Sequence, residues 1–165
     1  MTKQDIFKSE RLSYRGINEK DSDCLVRWRS NPELIRFFRN TEPISLKSHT
    51  EWYNNSYKSN NSRFDFIIIE MESNAEIGTI GVNDVDCSAG SCEISYMIGE
   101  IVFQRKGYAS ESVLAMMKRM GQEHISRFYA EIHKENKASI DMIRKLGFAQ
   151  CSQRDDFIVF ANNEG

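Results

Sequence analysis

Gln104-Arg105-Lys106-Gly107-Tyr108-Ala109 stands between an apolar alternating stretch, Cys92 to Ile98, and an amphipathic stretch running from about Gly107 to Glu123. A glycine-containing loop that opens into a helix presents several backbone N–H groups with no acceptor inside the chain. Together with the positive end of the helix dipole, those donors make a site for a phosphate or pyrophosphate, and Arg105 and Lys106 add positive charge. Gly107 is not followed by Lys-Ser or Lys-Thr, so the run lacks the pattern of a nucleotide-hydrolysing P-loop.

The pattern around the loop reads as strands and helices in a fixed order. Upstream, Arg11 to Ile17 predicts a first strand, and Asn18-Glu19-Lys20-Asp21 a helix N-cap with acidic residues in the first turn. Leu25 and Trp28 give that helix its apolar face, and Asn31-Pro32 stops it. A second helix is expected from Ser45 to about Ser59, with Leu46, His49, Tyr53 and Tyr57 on one stripe, before the turn residues Asn60-Asn61-Ser62. Phe64 to Glu70, Glu76 to Asp86 and Cys92 to Ile98 then predict an antiparallel meander of three strands, the last two joined by Ala89-Gly90-Ser91. Beyond the loop, the helix carries Val113, Leu114, Met117 and Met120 on its apolar face. Phe128 to His133 reads as a strand, Ala138 to Leu146 as a short helix ended by Gly147, and Ala149 to Ala161 as a hairpin turning at Asp155-Asp156. A meander followed by a β-loop-α-β-α unit is a mixed sheet with helices on its faces, in the α/β or α+β class.

Composition is consistent with one domain over residues 1–165, since 165 residues with 40% hydrophobic and 28% charged side chains suffice for one core. No stretch approaches the roughly 20 apolar residues that cross a bilayer. The segment Met1 to Glu10 is polar, neither secretion signal nor anchor, so no membrane is expected and the cytoplasm is the default location. A net charge of −2 with interspersed signs gives no footprint for nucleic acid. Cys24, Cys87, Cys92 and Cys151 have no metal-ligand spacing and read as small buried hydrophobes in a reducing compartment. The three histidines are scattered as well, so no metal is implied.

Tyr96-Met97-Ile98-Gly99 followed by Gln104-Arg105-Lys106-Gly107-Tyr108-Ala109 resembles the Q/R-x-x-G-x-G/A acetyl-CoA motif of the GNAT superfamily of N-acetyltransferases. Further on, Asn136-Lys137-Ala138-Ser139 and Lys145-Leu146-Gly147-Phe148 resemble that superfamily's second motif, N-x-A-S … K-L-G-F. The resemblance spans essentially the whole chain and implies a mostly antiparallel sheet with a splayed central strand pair and acetyl-CoA as cofactor. It implies that the pyrophosphate lies on the loop amides of Gln104, Arg105, Lys106, Gly107, Tyr108 and Ala109. The pantetheine arm would pair with the backbone of Met97 and Ile98 like an added strand, and Asn136 would contact the cofactor near its thioester.

Acetyl transfer to an amine requires removal of the ammonium proton, stabilisation of the thioester oxygen and protonation of the leaving thiolate. Alternation places Glu93, Ser95 and Met97 on one face of their strand and Cys92, Ile94, Tyr96 and Ile98 on the other. Glu93 sits where several members of the superfamily keep a carboxylate base. Ile143 stands where many members carry the tyrosine that protonates the thiolate, which leaves Ser139, the nearest hydroxyl of the motif, as a candidate acid or a cofactor contact. The missing tyrosine also leaves open a different class, a degenerate acetyl-CoA-binding sensor or interaction module.

In the superfamily the first two helices and their loop cover the acceptor. Here Trp28-Arg29-Ser30-Asn31-Pro32-Glu33, followed by Ile44-Ser45, His49 and Trp52, resembles the branches that acetylate nucleotide-linked amino sugars and the N-termini of ribosomal proteins. Trp28 and Trp52 either offer stacking surfaces or, with Phe37, simply pack the helices onto the sheet, and Arg29, Arg36 and Arg39 offer guanidinium groups for phosphate. His49, on an apolar stripe, reads as a packed residue or a substrate contact. The resemblance thus implies a small-molecule amine, an amino sugar slightly ahead of a protein N-terminus. A homodimer is compatible with it.

Overall fold

Alternation along two strands sets the two layers of the molecule. In the strand β3 (Phe64–Glu70), Phe66 and Ile68 join one buried cluster while Ile67 joins another on the opposite face. In β5 (Ser91–Ile98), Cys92 and Ile94 belong to the first cluster and Met97 to the second. Both faces of the central sheet are therefore covered, and each fully buried Ile or Phe is worth roughly 1.5–3 kcal/mol. The computed structural model describes residues 1–162.

The remaining strands are β1 (Ile6–Lys8), β2 (Leu12–Gly16), β4 (Ala75–Asp86), β6 (Arg127–His133), β7 (Phe148–Arg154) and β8 (Phe157–Asn162). The sheet order is β1-β2-β3-β4-β5-β6-β8-β7, and every neighbouring pair is antiparallel except β5 with β6. The mixed, mostly antiparallel sheet expected from the sequence is thus present. The edge strand β1 was not anticipated, because three residues with an exposed Ile6 carry no readable period.

The first face is covered by α4 (Tyr108–Gly121) and α5 (Lys137–Lys145). On α4 the buried residues are Tyr108, Ser112, Val113, Met116 and Met120, whereas Leu114 is 50% exposed. The buried stripe passes through Met116, which rotates Leu114 off the face it was expected to share. The second face is covered by α1 (Ser22–Arg29), the single turn α2 (Pro32–Ile35) and α3 (Leu46–Trp52), which continues into a π-helical turn over Tyr53–Tyr57. Asn31 does end α1, and then caps α2 through its side chain, with Pro32 at the first helical position. His49, Tyr53 and Tyr57 are buried as expected, but Leu46 is 49% exposed because it sits in the first turn, beyond the edge of the sheet contacts. Of the cysteines only Cys92 is buried; Cys87, in a turn, and Cys151, within β7, are exposed, contrary to the reading of all four as core residues.

The feature that positions the site is the parting of β5 from β6. They pair only through Ser91–Arg127, Cys92–Phe128 and Glu93–Tyr129; β6 continues to His133 held on its other edge by β8. Past Glu93, one edge of β5 is left without a strand neighbour. No helix among the described residues is long and apolar enough to cross a membrane.

Candidate active site

The loop between β5 and α4 has the geometry of an anion cradle. Arg105 (φ 59°) and Gly107 (φ 81°) both adopt left-handed conformations, which turn successive amides toward one side of the loop. Among the described residues, the N–H groups of Arg105, Lys106, Gly107, Tyr108 and Ala109 have no acceptor; the first amide of the helix region to find one is Glu111, bonded to the Gly107 carbonyl. Gln104 departs from the expectation. Its amide donates to the Ile101 carbonyl at 3.0 Å, and its side-chain Nε2 donates to the Ile98 carbonyl at 3.0 Å. The loop is fastened from outside, since Arg11 Nη1 donates to the Lys106 carbonyl at 2.9 Å and pairs with Glu111 at 2.7 Å. The side chain of Tyr108 is buried in the core and only its amide is offered to the loop.

The open edge of β5 also differs from the expected one by a residue. An added Cβ on Gly78 would lie 2.1 Å from the Met97 carbonyl oxygen, so Met97 directs its backbone toward β4. Because backbone groups alternate sides along a strand, Tyr96 and Ile98 face the gap. Ile98 has its carbonyl engaged by Gln104, leaving its N–H and the backbone of Tyr96 open to an added strand. Met97 contributes its side chain to the second core cluster instead.

Two hydroxyls meet across the gap. Tyr96 Oη and Ser139 Oγ are 2.6 Å apart, joining β5 to α5. Burial pushes the Tyr96 phenol up to about 12, so it stays protonated at neutral pH. Asn136 caps α5, its side-chain oxygen accepting from the Ser139 amide at 3.3 Å. Tyr96 was missed from sequence, where it read only as part of an apolar face.

Glu93 lies at the point of divergence, in a polar cavity of about 410 Å³ shared with Asp84, Glu131, Arg39 and Asn83. Burial raises its pKa, and Glu131 and Asp84 add to the effect. A carboxylate held above its ordinary range is a stronger base once ionised. Arg39 lines this cavity beside Glu93, ion-paired with Glu131, its Nε 2.7 Å from the carboxylate, and is not part of the wall that Arg29 and His49 form.

A second cavity, of about 390 Å³, opens between α1, α3 and the sheet. Arg29, His49 and Trp52 line it as anticipated, with Phe38, Ser95, Tyr96 and the Arg63–Asp65 ion pair (2.7 Å). Trp28 is not part of it. That side chain is 2% exposed, donates Nε1–H to Glu100 at 2.8 Å and packs against Gly99, where an added Cβ would fall 2.3 Å from its ring. Packing rather than substrate contact accounts for Trp28.

Free loop amides, an unpaired strand edge and a gap between two parallel strands define a protein that takes an extended, phosphate-ended cofactor into its sheet. The description "Acetyltransferase (GNAT) domain" matches residues 11–149, and the chain belongs to that family. It is an acetyl-CoA-dependent N-acetyltransferase domain, and the free amides and open β5 edge fit that cofactor. An uncharacterized protein of Methanocaldococcus jannaschii is 29% identical over 151 residues, covering 90% of this chain; the chain spans 30% of that relative's length. The [Ribosomal protein uS5]-alanine N-acetyltransferase of Escherichia coli is 27% identical over 161 residues, covering 92% of this chain and 81% of the relative. Among solved structures, a ribosomal L7/L12 alpha-N-protein acetyltransferase in complex with coenzyme A shares the fold, with a TM-score of 0.82, 18% identity and coverage of 96% and 97% of the two chains.

Proposed function

We propose that this domain acetylates the primary amine of a small molecule such as an amino sugar, by direct transfer, with Glu93 as the base and Ser139 as the acid. Acetyl-CoA supplies the activated acetyl group when bound. The amides of residues 105–109 hold its pyrophosphate, and the β5 edge at Tyr96 aligns the pantetheine arm. Glu93 accepts the proton that the amine nitrogen gives up as it bonds to the acetyl carbon. Ser139 gives its hydroxyl proton to the sulfur as the carbon–sulfur bond breaks. Tyr96 is a positioning residue: its phenol donates to Ser139 Oγ, which turns the serine hydroxyl outward and supports the charge that develops on it.

The 2.6 Å Tyr96–Ser139 pair carries this reading, because it supplies a proton-bearing hydroxyl where Ile143 removes the usual tyrosine. It favours an enzyme over a binding module. The aromatic-walled cavity of about 390 Å³ favours a small acceptor. The similarity to an alanine N-acetyltransferase over most of both chains supports a second acceptor reading, a protein N-terminus.

Thiol release from acetyl-CoA, measured across amino sugars and alanine-initiated peptides, tests the assignment. Glu93→Gln is expected to lower kcat/KM by about 10²–10⁴-fold where Glu93 is ionised, less so at high pH, where the amine arrives already deprotonated. A loss that is uniform with pH removes Glu93 as the base. Coenzyme A binding without turnover of any amine supports the module.

A further inference from the structure

Of the charged groups around the acceptor cavity, one is left uncompensated. Arg63 is held by Asp65 at 2.7 Å and stacks its guanidinium 4.9 Å from the Trp52 ring centroid. Arg39 is held by Glu131 outside this cavity. Arg29 is half-buried, lines the cavity and, among the described residues, has no carboxylate within ion-pair distance; its only close aromatic contact is Phe38, 4.9 Å from ring centroid to guanidinium. Burial lowers its pKa, Arg63 adding to the effect and Asp65, already held by Arg63, opposing it.

A second observation falls on the same wall. His49 is 6% exposed, lines the cavity, and its Nε2 has no hydrogen-bond partner among the described residues. Leaving a buried polar atom unpaired is costly, so its retention calls for a partner that arrives with the ligand. Burial and the neighbouring Arg29 keep the imidazole neutral, which leaves it one N–H to donate.

We infer that Arg29 and His49 form an oxyanion-recognition subsite, so that the acceptor carries a phosphate or carboxylate group in addition to its reacting amine. The inference rests on the acetyl-transfer reading and narrows its acceptor. The guanidinium provides a charge-assisted, bidentate-capable contact and the imidazole N–H a third donor. The same arrangement disfavours polyamines: the cavity's one carboxylate, Asp65, is already engaged by Arg63.

The test uses the full chain saturated with coenzyme A, so that the loop amides are occupied, with inorganic phosphate as probe and acetate in a parallel arm. His49 side-chain nitrogen resonances report the subsite. A saturable shift is expected, with at least tenfold weaker apparent affinity in Arg29→Gln and partial recovery in Arg29→Lys. A response to phosphate alone assigns a phosphate-bearing acceptor, and a response to acetate as well assigns the broader oxyanion class. Absence of a saturable shift, or equal affinity in Arg29→Gln, overturns the inference. Failure of coenzyme A to bind instead contradicts the acetyltransferase reading, and the same titration on the free protein still decides the subsite.

Discussion

Gly107 gives the sharpest quantitative test of the cofactor cradle. Its φ of 81° lies in the left-handed region, where a β-carbon costs about 1–2 kcal/mol for most residues and less for asparagine. Space is not the constraint, since an added Cβ would meet only Arg11 Nη2, at 3.4 Å. The penalty of Gly107→Ala is therefore torsional. A domain of this size loses about 2–4 °C of Tm per kcal/mol, so Gly107→Ala is expected to melt roughly 2–8 °C below wild type, with Gly107→Asn between them. Cofactor binding adds an independent constraint, because a pyrophosphate on these amides must approach the bare α-carbon. Gly107→Glu places both bulk and negative charge there and is expected to abolish coenzyme A binding in calorimetry. Wild-type Tm in Gly107→Ala would show that the loop is not left-handed in the free protein. Retained coenzyme A affinity in Gly107→Glu would refute the cradle itself.

Glu93 also links the site to stability. Burial first, then Glu131 and Asp84, hold its folded pKa above the unfolded value, so the native state binds the extra proton and stability falls as pH rises from the ordinary carboxylate range through the raised one. Glu93→Gln is thus expected to melt higher than wild type at neutral pH with the gain vanishing in acid; a gain independent of pH contradicts this. Ser139→Ala is expected to lower kcat about 10²-fold or more without changing coenzyme A affinity, and Tyr96→Phe to lower it less. If Tyr96 acts through Ser139, the double variant is no slower than Ser139→Ala alone, whereas additive losses would give the phenol a separate role. Gly99→Ala drives a methyl to 2.3 Å from the Trp28 ring and is expected to cost about 1–3 kcal/mol in denaturant unfolding; an unchanged midpoint would remove Trp28 from the core.

What was legible in the sequence and what was not follow the range of the interactions. Asn18 and Ser45 caps, the Ala89–Ser91 turn, the strand alternation and the glycine of the loop are decided within a few residues, and each lies where the pattern placed it. The second core cluster was legible too, because Leu25 and Trp28 on one helix, and Tyr53 and Tyr57 on another, stand at helical spacing. Tyr96 was invisible as a site residue because its partner Ser139 is 43 positions away and its strand face otherwise reads as core. The Arg39–Glu131 pair was invisible for the same reason, its two members lying 92 positions apart. Met97 and Ile98 were the right stretch of strand, but which amides face the gap depends on the register with Gly78 in β4, which the local sequence does not encode.

The two halves of the site are built from different materials, and this has a consequence for specificity. The cofactor half is backbone: consecutive amides of one loop and one edge of β5, so its recognition survives most changes of side chain. The proposed acceptor half is side chains from α1, α3, β3 and β5 that meet only after folding. Trp28 and Arg29 show how closely the two roles sit, since adjacent residues of α1 point one into the core and one into the cavity. A change at Arg29, His49 or Trp52 can therefore alter the accepted amine while Trp28, Tyr57 and Ile67 keep the layer packed. Swapping Arg29 for a carboxylate would invert the sign of the cavity's one uncompensated charge without touching the cradle, and preference should then move from anionic toward cationic amines with coenzyme A affinity unchanged.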